Sequence, residues 1–251
     1  MSRIWLTGAS SGIGAELAAV LLEQGHRLAL SARQVGPLQA LAERYRDQVL
    51  VLPGDLSNRA QVAGITQRID DEWGALDQVI LNAGTCEYLE PGHFDTRLVE
   101  RVLNTNLLGT CHCLEAALPL LRRGQAPHLV AVCSAVTWLA LPRAGAYGAS
   151  KAALRYLFES LRIDLAAEGI DVTLVSPGFV DTPLTRRNDF PMPQIWPAQR
   201  AAQFIARRLP ARPLDIAFPG FFIFVMRLLG RLPARWRLAL GQRLSRDSSE
   251  A

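Results

Sequence analysis

Lysine is almost missing. Of the 27 basic side chains in this 251-residue chain, 26 are arginine and only Lys151 is lysine. The two groups are not interchangeable, so a solitary lysine in an arginine-using chain points to a place that requires a compact ammonium. Cysteine is scarce as well. Cys86, Cys111, Cys113 and Cys133 form neither a disulfide framework nor a cluster at zinc-ligand spacing. They read as reduced thiols of a cytosolic protein, with no metal expected. No window of about eighteen residues is uniformly apolar, so no membrane span is expected. The start, Met1-Ser2-Arg3-Ile4-Trp5-Leu6, lacks the apolar core of a signal peptide. Repeats, low-complexity runs and linkers are also missing, and one domain covering residues 1–251 is expected.

What is there is ordinary for a globular protein: 49% hydrophobic and 20% charged residues. That excludes long disorder and a nucleic-acid-binding tail. The net charge of +4 is unevenly spread. Residues 1–185 carry fifteen basic and nineteen acidic side chains, whereas residues 186–251 carry twelve and four.

Apolar runs alternate with helical spacings along the chain. Strands are expected at Arg3–Thr7, Leu28–Ala32, Val49–Pro53, Val79–Leu81, Leu129–Cys133, Val172–Ser176 and Leu214–Phe218. Helices are expected at Gly12–Gln24, Leu38–Tyr45, Gln61–Trp73, Leu98–Leu121, Tyr147–Glu168 and Ala198–Leu209. Strands that are apolar throughout, alternating with helices, belong to a parallel sheet covered on both faces. The fold class is therefore α/β: a Rossmann-type, doubly wound parallel sheet of about seven strands. Ligands of such sheets sit beyond the carboxyl ends of the strands.

After the first strand comes Thr7-Gly8-Ala9-Ser10-Ser11-Gly12-Ile13-Gly14. Glycines there admit φ > 0 and close approach of a pyrophosphate, and the helix beyond offers unpaired amides and positive dipole charge. After the second strand the acidic residue usual for NAD is absent and Arg33 stands in its place. A guanidinium there pairs with a 2′-phosphate, with Ser31 adding a hydroxyl, so NADP(H) is preferred over NAD(H). The competing reading is a solvated surface arginine. Asp55-Leu56 follows the third strand, where a carboxylate can accept the adenine amino group. Asn82-Ala83-Gly84 follows the fourth, where small residues let backbone pass beside a cofactor.

Tyr147 and Lys151 are four residues apart at the start of a helix and so share its face. A nearby ammonium favours the phenolate and draws the phenol pKa down. Ser134, at the end of the fifth strand, can hold a carbonyl beside them. Asn106 can complete a polar relay or simply pack.

Together these pieces resemble the short-chain dehydrogenase/reductase family. The match rests on Thr7-Gly8 through Gly14, Asp55, Asn82-Ala83-Gly84, Asn106, Ser134, Tyr147, Lys151, and Pro177-Gly178 followed by Thr182. The resemblance implies hydride transfer between a nicotinamide and a carbonyl or alcohol carbon. Tyr147 would be the general acid or base, Lys151 would lower its pKa and bind the nicotinamide ribose, and Ser134 would polarise the carbonyl. Asn106 would hold a water linked to Lys151. Pro177, Gly178, Val180 and Thr182 would line the nicotinamide and its phosphates, beside Ser10, Ser11 and Ile13 of the first loop. It also implies a homodimer or homotetramer through the helices from Leu98 and Tyr147.

Trp138, Leu141, Phe179, Phe190, Met192, Ile195 and Trp196 suggest a mostly apolar substrate wall. Arg186 and Arg187 could meet an acidic substrate but read better as solvent charges. Residues 186–251 are expected to form a substrate lid and a basic, apolar extension. The run Phe221–Leu229 with the arginines of 231–246 has the composition of an in-plane anchor at the inner face of a membrane. A subunit interface and a cover over the substrate mouth are the other readings of segment 219–246. The reading of the whole chain is a cytoplasmic NADP(H)-dependent oxidoreductase for small apolar alcohols, ketones or aldehydes. The alternative is a non-catalytic NADP-binding sensor or scaffold on the same fold, for which the intact proton relay would have no use.

Overall fold

The computed structural model describes residues 1–90 and 92–247. Residues 248–251 of the expected extension, and the side chain of Arg246, lie outside the described residues. The chain runs β1 (Arg3–Thr7), α1 (Gly12–Glu23), β2 (Arg27–Ser31), α2 (Gly36–Arg44), β3 (Val49–Val51), α3 (Arg59–Trp73) and β4 (Gln78–Leu81). It continues through α4 (Thr96–Leu103), α5 (Gly109–Arg122), β5 (His128–Val132), α6 (Gly145–Ala166), β6 (Asp171–Pro177), and a two-residue ladder of β7 (Val180–Asp181) with β8 (Trp196–Pro197). It ends with α7 (Ala198–Arg208), β9 (Asp215–Phe218), α8 (Gly220–Gly230) and α9 (Ala234–Asp247).

Seven strands make one parallel sheet in the order β3-β2-β1-β4-β5-β6-β9. The order reverses between β1 and β4, which is where doubly wound sheets open a crevice. The strand alternation feeds two cores. Trp5, Val79, Leu129 and Ala131 point to one face, with residues of α3, α5 and α6. Ile4, Leu6, Ile80 and Val130 point to the other, with residues of α1, α2 and α7. Both faces are covered, which is why the middles of these strands are mostly apolar.

Local signals set the helix limits. Asn58 caps α3 by accepting from the Ala60 and Gln61 amides, and Gly74 ends it at φ 67°. The expected single helix over Leu98–Leu121 is α4 and α5 with a π-helical segment, Asn104–Leu108, between them. The tail is two helices, α8 and α9.

Asp77 fastens the start of β1 to the turn before β4. Its carboxylate accepts from the Arg3 amide (2.8 Å), Nε (3.2 Å) and Nη2 (2.8 Å), and from the Gln125 amide (2.8 Å). Burial alone would raise its pKa, but these donors hold it below the ordinary carboxylate value. A carboxylate with a depressed folded pKa adds stability above its unfolded pKa, and that stability is lost as pH falls through the folded value. Asp77→Asn is therefore expected to lower stability at neutral pH and to flatten the acid limb of a melting-temperature profile. An acid limb of unchanged slope would contradict this.

Candidate active site

A cleft opens at the carboxyl edge of the sheet, walled by the segments that follow β1 to β6. Gly8, Ser10, Ser11, Gly12, Ile13 and Gly14 line it, as do Arg33, Asp55, Leu56, Asn82, Ala83 and Gly84. Ser134, Tyr147, Lys151, Pro177, Gly178, Val180 and Thr182 complete the predicted set. Of the residues predicted for catalysis or the cofactor, Asn106 and Ser31 stay out of the cleft wall.

The first loop is held by backbone contacts that leave no room for side chains. Gly8 sits at φ 68°, and a Cβ there would lie 2.8 Å from the Ala83 Cα. A Cβ on Gly14 would lie 2.2 Å from the Gly8 carbonyl oxygen, and one on Gly12 would lie 2.9 Å from the Thr182 Cγ2. Asn82 ties the loop to β4 by donating from Nδ2 to the carbonyls of Thr7 (3.0 Å) and Gly8 (3.2 Å). The Thr7 hydroxyl oxygen accepts in return from the amides of Asn82 and Ala83. Ser11, at the N-cap of α1, makes no side-chain cap, so its hydroxyl does not satisfy the first-turn amides.

At the end of β2 the two predicted side chains part. Arg33 is exposed at the rim and has no ion pair among the described residues, although its charge reaches Asp55. Ser31 is fully buried, and its Oγ accepts from the Trp5 indole at 2.9 Å. The expectation that it adds a hydroxyl at the cofactor is thus corrected: it faces the core. Asp55 accepts from the Ser57 hydroxyl (2.8 Å) and amide (3.0 Å), and these bonds hold its pKa low. Ser57 was missed in the sequence, although Asp-x-Ser is a recognisable side-chain turn.

Lys151 is buried and donates to the Val132 carbonyl at 2.9 Å, with Nζ 5.9 Å from the Tyr147 ring centre. Tyr147 lies within reach of Ser134, whose Oγ accepts from the Val136 amide. Burial pushes the Tyr147 phenol above its ordinary value and the Lys151 ammonium below its own. The expected lowering of the phenol pKa by Lys151 is therefore overridden by desolvation, and the phenol keeps its proton.

Asn106 is fully buried in the π-helical segment. Its Oδ1 accepts from the Thr85 amide (2.7 Å), and its Nδ2 donates to the Thr85 carbonyl (2.9 Å) and the Ser150 hydroxyl (2.9 Å). The side chain is a strut between the turn after β4 and helix α6, and is not open to the cleft. Gly84 fits between them: a Cβ there would lie 3.3 Å from both Asn106 Oδ1 and Lys151 Nζ.

The apolar wall is only partly the expected one. Phe179 contacts Phe190 at 6.2 Å and Phe222 at 5.6 Å, and Phe190 meets Tyr88 at 5.4 Å. Tyr88 and Phe222 were missed, because only tertiary packing brings them to this row. Trp138 instead lies between Arg155 (5.2 Å) and Arg227 (4.6 Å), and Trp196 stacks on Phe218 at 5.0 Å. Both are packing residues. Arg186 pairs with Asp181 at the surface.

A sequence model of the family described as short chain dehydrogenase matches residues 2–191. An uncharacterized oxidoreductase of Myxococcus xanthus is 34% identical over 231 residues, which is 91% of each chain. Among solved structures, a short chain dehydrogenase from Burkholderia cenocepacia in complex with NADP is 26% identical, with a TM-score of 0.82 over 97% of each chain. One from Burkholderia phymatum in complex with NAD is 23% identical, with a TM-score of 0.82 over 90% of this chain and 92% of that one. The last likeness shows the fold alone.

Ser31→Ala would leave the Trp5 indole N–H buried without its partner, at a cost of about 1–3 kcal/mol in stability. Chemical denaturation is expected to show that loss while NADPH affinity stays as in the wild type. Weakened NADPH binding with unchanged stability would restore Ser31 to the cofactor site.

Proposed function

The chain belongs to the short chain dehydrogenase family of oxidoreductases, and we propose that it uses NADP(H) to interconvert small apolar ketones or aldehydes and their alcohols, with Tyr147 as general acid and base. The observation that carries this reading is that Ser134, Tyr147 and Lys151 share one cleft with the glycine-rich loop Gly8–Gly14.

The residues fit a dinucleotide. Gly8, Gly12 and Gly14 leave backbone where a pyrophosphate can approach, against the start of α1. Asp55 keeps one carboxylate oxygen, Oδ2, outside its bonds to Ser57, available to an adenine amino group. Arg33 stands at the rim for a 2′-phosphate. The relatives in complex with NADP and with NAD indicate that the fold admits either, so the preference rests on Arg33. A nicotinamide held here would supply or accept the hydride.

The protein's own part is proton control. Ser134 holds the carbonyl oxygen beside the phenol. A phenol that burial keeps protonated is a proton donor at neutral pH, which suits the reductive direction. The phenolate left behind stands next to the Lys151 ammonium, which stabilises it and, being shifted down by burial, readily returns a proton. Asn106 acts by position, through Thr85 and Ser150. The aromatic row from Tyr88 to Phe222 gives the substrate an apolar wall. Residues 186–251 serve as lid and extension on a single domain. Exposed Tyr156 and Ile163, two turns apart on α6, suit pairing with a second copy. Four free thiols suit a reducing cytoplasm.

Tyr147→Phe is expected to slow NADPH-dependent carbonyl reduction about 10²–10⁴-fold while NADPH still binds. Near-normal turnover would refute the assignment, and NADPH binding without turnover of any carbonyl by the wild type would favour a sensor. Arg33→Ala is expected to raise the KM for NADPH by about one to two orders of magnitude with little change for NADH. An equal effect on both would remove the NADP preference.

A further inference from the structure

The outer face of α8 is apolar and has nothing packed on it among the described residues. Phe221, Phe224 and Leu228 are 69%, 63% and 53% exposed. At 100° per residue they fall within one narrow stripe along the helix. The opposite side is firmly seated. Ile223 and Met226 are buried, and Arg227 stacks on Trp138 and reaches Asp215 at 3.8 Å. A Cβ on Gly230 would lie 2.1 Å from the Trp138 carbonyl oxygen, so the helix end abuts that backbone. The exposed stripe is therefore held rigidly in place. Exposed apolar residues scattered singly need no explanation, but three in register on one anchored helix do.

Charge decides the occupant. From residue 220 to 247 the chain carries six arginines against one aspartate. Arg231, Arg235, Arg237 and Arg243 are exposed, and so is Trp236 of α9, at 67%. A second copy seated here across a two-fold axis would set this positive charge against itself. An anionic bilayer answers both features: acyl chains take the Phe221–Leu228 stripe and the Trp236 ring, and lipid phosphates take the guanidinium groups. No helix among the described residues is long and apolar enough to cross a membrane. We propose that α8 and α9 form an in-plane docking surface for an anionic membrane.

The docking helix also touches Gly178, which lines the cleft. Phe222 turns away from the stripe and packs on Gly178, where a Cβ would lie 2.8 Å from its ring. One helix thus carries the exposed stripe on one side and a contact to the cleft wall on the other.

The test is flotation of the full-length protein with vesicles of phosphatidylcholine and phosphatidylglycerol, or of phosphatidylcholine alone, at low and high salt. The expected result is flotation with the anionic vesicles, weakened by salt, and none with phosphatidylcholine alone. Phe221→Glu/Phe224→Glu alters exposed positions only, and is expected to stay folded, bind NADPH and lose flotation. Arg235→Gln/Arg237→Gln is expected to weaken binding roughly fivefold per arginine. Tyr147→Phe is expected to float like the wild type, which separates this inference from the catalytic reading. Wild-type protein that stays unbound overturns the proposal. So does a double glutamate variant that floats unchanged, or one whose only effect is to convert a dimer to a monomer in light scattering.

Discussion

The Tyr147 end of the cleft depends on an ammonium kept out of water. Taking a charge from water costs several kcal/mol even after relaxation, and Lys151 is buried, with one hydrogen bond at 2.9 Å to the Val132 carbonyl. The edge of that burial is the Tyr147 ring. A guanidinium would bring five donors and a fixed plane to a place that offers one carbonyl. That is a physical reason for a chain otherwise supplied with arginine to keep a lysine here. The same burial acts on the phenol, so one desolvated corner shifts the two pKa values in opposite directions, each toward the neutral form.

Around that corner the rest of the cleft is assembled by backbone. The glycine loop is fixed by the Asn82 amide and the Thr7 hydroxyl, which join the ends of β1 and β4 on the two sides of the switch point. Asn106 repeats the device one turn further on, joining Thr85 to Ser150. Gly84 lies beside both Asn106 and Lys151, where a Cβ would come within a tight 3.3 Å of each. Loop, Tyr147 and Lys151 thus line one cleft. On the far side α8 closes the row of aromatic rings through Phe222.

Much of this was legible in the sequence, for an identifiable reason. Strands buried on both faces are mostly apolar, so β1 was read at its observed bounds and the other six strands of the large sheet within a residue or two, whereas the short β7 and β8 were not read. The residues after each strand could then be assigned to one edge of the sheet, and they do line one cleft. What failed were side chains whose direction is set by partners far along the chain. Ser31 and Arg33 are two residues apart, yet one meets Trp5 in the core and the other meets solvent. Trp138 and Trp196 were placed at the substrate because they are large and apolar, but guanidinium groups and Phe218 claim their faces. The π-helical segment at Asn106 has no local signature in a long helical pattern. The phenol shift was misjudged in sign because spacing reveals a neighbouring charge but not the depth of burial.

A protonated phenol beside a buried ammonium is tested most directly by the pH dependence of kcat/KM for NADPH-driven carbonyl reduction. A proton donor is lost as pH rises through its pKa, so the rate should fall on the alkaline side only. Burial raises that pKa and lowers that of the Lys151 ammonium, so the fall should lie on the alkaline side of neutral. A decline already complete near neutral pH, or one that persists in Tyr147→Phe, would contradict it.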